Sequence, residues 1–201
     1  MTPLETQTEE ITRRDVFRLG IAIPVGIVAA SVLQPLGHKV NQEVAEATNA
    51  PAGGAYYRDM VASQCAGTAE PAKCATEFVQ STPQFITTSV VAPVFEEGYF
   101  RILPSAALDL LDREQEGNIG RNLLYGRKNL RPTRRELIAS TVSSLLFGAT
   151  HNLKPNSIDT RTIPASQTLS GFAFWCLQRK FGALSNVTAH SYYNYRAARS
   201  R

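Results

Sequence analysis

The stretch LGIAIPVGIVAASVLQPLG, from Leu19 to Gly37, carries no charge and is about as long as the ~20 apolar residues a membrane-spanning helix needs. No other feature restricts the fold as much, because a backbone crossing hydrocarbon must satisfy its own hydrogen bonds. Arg13, Arg14 and Arg18 precede it and few positive charges follow, which predicts an amino terminus on the cytoplasmic side. Residues 13–17, RRDVF, also form a loose twin-arginine pattern, and the small residues of AEATNA offer a cleavage region. The segment therefore reads as a retained membrane anchor or as an export signal, with a buried helix of a soluble protein as the remaining reading.

Further apolar-leaning stretches lie near Phe85–Leu111, Leu137–Leu153, Ile163–Gln178 and Phe181–Tyr195. None alternates with the period of a half-buried strand and each is of helix length, so the predicted fold class is all-α. Their uncharged runs fall short of ~20 residues and are rich in Ser, Thr and Asn, which fits a bundle with polar inner faces and partial lipid contact. The basic connectors at 113–135 and Arg179–Lys180 fall between these helices. If the helices cross in alternation, both connectors lie inside and the cysteine loop outside. The expected organisation is a tail and membrane or signal segment over 1–37, a polar extramembrane loop over 38–84, a helical core over 85–196 and a basic tail over 197–201.

The net charge of +4 is modest and clustered, and the chain shows no RNA-stacking motif, helix-turn-helix signature or zinc-finger spacing, so no nucleic-acid partner is expected. Cys65 and Cys74 bracket CAGTAEPAKC, a loop composition that suits either a local disulfide in an oxidising compartment or two free thiols. Cys176, within GFAFWCLQ, reads as buried.

In SVVAPVFEEGYFRILPSAAL, two acids and an arginine interrupt an uncharged run. On a helix Glu97 and Arg101 share a face in the favourable order, while Glu96 points about 100° away. Glu97 is thus expected to be held by Arg101 and Glu96 to be free for chemistry. Pro93 and Pro104 flank the motif and are expected to bend the helix or free backbone groups. Apolar neighbours imply burial, and a buried carboxylate costs several kcal/mol unless paired or bound to a cation. Of three histidines, His151 lies four after Phe147 and His190 four before Asn194, so each pair shares a helix face. Carboxylates, imidazoles and a carboxamide are sufficient parts to activate water and hydrolyse an amide.

APVFEEGYFR, FGATH and HSYYN, in that order, resemble the EExxxR, FxxxH and HxxxN motifs of the CAAX prenyl protease and bacteriocin-processing (Abi) family of intramembrane proteases. The resemblance covers about Phe85 to Tyr195. It implies a helical membrane bundle around a polar cavity, with a peptide or protein substrate and membrane lipid as partners. By motif position Glu96 would be the general base, working with His151 to deprotonate water. Glu97 would support the site through Arg101, and His190 and Asn194 would stabilise the oxyanion. The resemblance allows a divalent metal such as Zn, held by Glu96, His151 and His190, or a metal-free glutamate mechanism. Ile102 stands where the family often has Gly, and the chain has fewer apolar segments than usual members. A noncatalytic membrane interaction or immunity protein, and an exported soluble helical protein with a structural polar network, are the alternatives.

Overall fold

The computed structural model describes residues 11–50, 61–111, 119–127, 129, 131–154 and 157–199. Residues 51–54 of the APAGG breaker, residues 113–118, 128 and 130 of the basic connector and the final two residues lie outside them. The architecture is all-α, with a single antiparallel pair of two-residue strands among the described residues, β1 (Leu153–Lys154) and β2 (Ser157–Ile158). The helices are α1 (Arg13–Thr48), α2 (Pro71–Gln80), α3 (Thr82–Ile86), α4 (Ala92–Glu97), α5 (Leu103–Leu111), α6 (Ile119–Tyr125), α7 (Arg134–Thr150), α8 (Ala165–Phe181) and α9 (Ala183–Arg199). Two π-helical segments, Thr87–Val91 and Gly98–Ile102, join α3, α4 and α5 into one continuous rod.

α1 starts at a capping box: the Thr12 hydroxyl accepts from the Asp15 N–H, and the Asp15 carboxylate accepts from the Thr12 N–H at 3.0 Å. The helix does not stop at Gly37 but runs to Thr48, because the polar residues after His38 contain no breaker before Asn49, which ends it in the left-handed conformation at φ 51°. α1 is no isolated anchor. It lies along α9 and α8, burying Ala22, Gly26, Ala30 and Gly37. A Cβ on Gly26 would stand 2.6 Å from the Ser185 carbonyl oxygen and 3.0 Å from the Ala189 nitrogen, so the two backbones meet there as only glycine permits.

At the amino-terminal end of α1 the bundle is closed by ions. Asp15 pairs with Arg121, and Arg18 donates to the carbonyls of Tyr125 and Arg127. α7 opens with a second capping box, Thr133 with Glu136, and that glutamate also binds Arg127 at 2.8 Å and Arg179 at 3.0 Å. Both box acids thus stabilise a helix start and fix a neighbouring element. Gly182, at φ +83°, makes the tight α8–α9 turn against Leu124, where a Cβ has no room.

Burial is inverted relative to a water-soluble domain. Serines 140, 143, 144, 166, 170 and 185 are buried, while Ile23, Val28, Val32, Val94, Phe95 and Leu145 are exposed. This inversion explains why Cys176, expected inside, lies on the outer side of α8. In such a bundle apolar character does not report burial, and Phe174, Trp175 and Gln178 take the inward positions. Cys65 and Cys74 form a disulfide.

Candidate active site

Pro93 and Pro104 shape the rod that carries the acids. Ala92 N–H reaches back five residues to the Thr87 carbonyl, and the next donor in that register is Pro93, which has none. The Thr88 carbonyl is left open, and Asn194 Nδ2 donates to it at 2.8 Å. Pro104 likewise deprives the Phe100 carbonyl, four residues back, of a backbone donor, and the Ser143 hydroxyl from α7 fills the position. Gln178 Nε2 donates to the Arg101 carbonyl at 3.3 Å and to Ser105 at 3.0 Å. Side chains of α7, α8 and α9 thereby clamp the rod on both sides of Glu96 and Glu97.

The two acids divide as their helical spacing predicts. Glu97 is fully buried and saturated: Oε1 lies 3.3 Å from Arg101 NH1 and 2.7 Å from His190 Nδ1, and Oε2 accepts from Asn186 Nδ2 at 2.7 Å. Glu96, its side chain 33% exposed, keeps Oε2 without a hydrogen-bond partner, 3.5 Å from His190 Nε2. One imidazole therefore stands between two carboxylates. Its Nδ1 faces an acceptor, so it carries a proton there.

Arg101 has no side-chain hydrogen bond, and its guanidinium is held by the Glu97 ion pair and by aromatic faces, with Phe147 4.0 Å away. Gly171 leaves the space, since a Cβ there would come within 2.8 Å of Arg101 NH2. Phe147 also packs edge-on against His151 at 4.8 Å and His190 at 5.5 Å, while Phe174 stacks on His190 at 5.0 Å. His151 caps α7, and its Nδ1 donates to the Phe147 carbonyl at 2.8 Å, which leaves Nε2 as the acceptor nitrogen. Glu96, His190 and Arg101 are the charged and titratable groups acting on that ring.

Glu96, Glu97, Arg101, His151 and His190 thus form one cluster. Asn194 sits one turn beyond His190, and its amide binds the Thr88 carbonyl. Sequence reasoning missed Asn186, whose amide joins Glu97 to Gln178 at 2.9 Å. A signal existed: Asn186, His190 and Asn194 repeat at intervals of four along one face of α9. Among the described residues no three His, Cys, Asp or Glu side chains converge as a metal-holding group. Glu96 Oε2 and the Nε2 atoms of His151 and His190 are the donors that would hold a divalent metal, with Glu97 and the Phe147 carbonyl fixing the two rings through Nδ1; no step is derived through one.

A family model described as type II CAAX prenyl endopeptidase Rce1-like matches residues 78–196, more than half of the chain. The chain belongs to this family. No curated protein and no solved structure matches it. The matched region begins within α2 and runs through α9, so it contains every element of the cluster and leaves α1 outside. Rce1-like proteins are helical, membrane-embedded proteases, and a protease acts on a peptide or protein. Among the described residues, α1 is the one helix long and apolar enough to cross a membrane by length and composition.

Proposed function

We propose that the protein is an intramembrane endopeptidase that hydrolyses a peptide bond of a membrane-associated protein or peptide with water activated by Glu96 and His151. The observation that carries the reading is the division of the adjacent acids, one saturated by Arg101, His190 and Asn186, the other with an unpartnered buried oxygen beside an imidazole. A saturated carboxylate cannot accept a proton from water, whereas Glu96 can.

In the proposed reaction, water donates one hydrogen to Glu96 Oε2 and the other to His151 Nε2. Its oxygen attacks the scissile carbonyl as its proton passes to Glu96. His190, held by Glu97 through Nδ1, turns a protonated Nε2 to the oxyanion. Glu96 then returns the proton to the leaving nitrogen as the C–N bond breaks. Glu97 is balanced by Arg101, and Glu96 faces His190 across 3.5 Å. Asn194 acts as a positioning residue through Thr88, because its amide is engaged there, and the oxyanion role falls to His190.

The outward apolar faces favour a bundle that crosses the bilayer more than once: α7, with 17 residues, spans about 26 Å against ~30 Å of hydrocarbon. The substrate is proposed to lie in the groove of about 660 Å³ between α7 and α8, which Thr141, Leu145, Asn152, Leu169 and Phe172 help to line and which ends one residue from His151. Purified full-length protein in detergent is expected to cleave members of a mixed fluorogenic peptide library, and His151→Ala to abolish this with folding retained. Equal cleavage by His151→Ala would remove the role assigned to it. A noncatalytic interaction protein is the second reading, favoured by absence of cleavage from a folded wild type.

A further inference from the structure

The Arg101 guanidinium is fully buried beside Glu97, four residues before it on the same rod, yet it makes no hydrogen bond. A guanidinium and a carboxylate pair most favourably as a fork, with both oxygens on the N–H groups. That fork is not formed. The nearest approach is NH1 to Oε1 at 3.3 Å, and Nε, NH1 and NH2 all lack a hydrogen-bond acceptor. Glu97 is held away from its strongest partner.

Two side chains of α9 hold it. His190 Nδ1 takes Oε1 at 2.7 Å, and Asn186 Nδ2 takes Oε2 at 2.7 Å. The Asn186 amide is itself fixed, because its second N–H donates to Gln178 Oε1 at 2.9 Å, while Gln178 Nε2 donates to the Arg101 carbonyl and the Ser105 hydroxyl. With two acceptors to serve, Asn186 must present its nitrogen to them. Its Oδ1 is buried without a donor. An unpartnered buried oxygen is a cost that leucine, of similar size, would not carry. What the site gains from asparagine at this position is therefore its N–H groups. Released from Asn186, Glu97 turns both oxygens to Arg101 and withdraws Oε1 from His190. The imidazole then loses the contact that orients its Nε2.

We infer that Asn186 is a positioning residue: it denies Glu97 the bidentate pairing with Arg101 and so keeps the Glu97–His190 contact that aims Nε2 at the oxyanion. Its part in catalysis rests on the endopeptidase reading. Its hold on the imidazole does not.

The test uses the full-length protein in detergent, with isotope-labelled histidine for NMR. An Nδ1–H bound to a carboxylate resonates far downfield, and His190→Gln assigns the signal by removing it. The His151 Nδ1–H, on the Phe147 carbonyl, is the internal control. Asn186→Leu is expected to abolish the His190 signal and keep that of His151. On a cleaved member of the peptide library, kcat should fall about 10–100-fold with KM within about 2-fold, because the oxyanion contact is made only in the transition state. Gln178→Met removes the neighbouring amide but leaves the Asn186–Glu97 bond, and is expected to keep the His190 signal. A folded Asn186→Leu that retains the signal overturns the inference, as does loss of the signal in Gln178→Met as well. Loss of the signal with unchanged kcat removes the part in catalysis. If the leucine variant does not fold, Asn186→Ser, too short to reach Glu97, is read in the same way; failure of both to fold makes Asn186 a purely structural residue and also overturns the inference. No cleavage by the folded wild type sinks the endopeptidase reading, while the imidazole signal still decides the positioning.

Discussion

Glu96 and Glu97 are neighbours with opposite fates, and the difference comes from the 100° between successive helical positions. Glu97 points to α9 and Arg101, where every lone pair that matters is used. Glu97→Gln is expected to strand a buried guanidinium and destabilise the fold by about 3–5 kcal/mol in chemical unfolding. A fall of under ~1 kcal/mol would mean that the pair carries little of the packing. The sequence disclosed the Glu97–Arg101 pairing because spacing of four is a local rule. It did not disclose that His190 would be divided between the two acids, since that contact joins residues on separate helices and depends on how α4 and α9 pack. Asn194 shows the same limit: its place on the face of His190 is readable, its use by Thr88 is not. That use follows from a π register, which no local pattern announced.

At the scale of elements, the prolines explain why a helix interior can hold a polar site. Each removes one backbone donor and so leaves a carbonyl that a side chain from another helix must satisfy. Ser143→Ala is expected to lose about 1–3 kcal/mol, most of it returned in the double variant with Pro104→Ala, which supplies an N–H to the Phe100 carbonyl. Additive losses in the double-mutant cycle would contradict the account. α1 invites a similar comparison. Gly26→Leu should destabilise by at least ~1–3 kcal/mol through overpacking against α9, whereas Gly20→Leu, with nothing within 4 Å of its Cβ, should be neutral in thermal unfolding. Equal effects would detach α1 from the bundle. The four core helices were legible from length and missing alternation. The extension of α1 to Thr48 was not, because polar residues do not by themselves end a helix.

For the whole molecule, the decisive property is the reversal of polarity between inside and outside. Composition blurred it, since buried serines and exposed valines average to an unremarkable chain. That is why the apolar runs looked marginal and Cys176 looked buried. The disulfide closes a loop with a sequence separation of 9, for which loop entropy gives about 2–3 kcal/mol. Reduction without denaturant should lower stability by about that amount and leave peptide cleavage in detergent measurable. Complete unfolding on reduction would show that the loop carries more of the fold than its position near α2 and α3 indicates. The central claim is tested most directly by turnover of purified Glu96→Gln on the peptide library, read alongside its thermal unfolding. The account predicts a fall in kcat of about 10²–10⁴ with wild-type unfolding; a Glu96→Gln enzyme that turns over as fast as the wild type would contradict it.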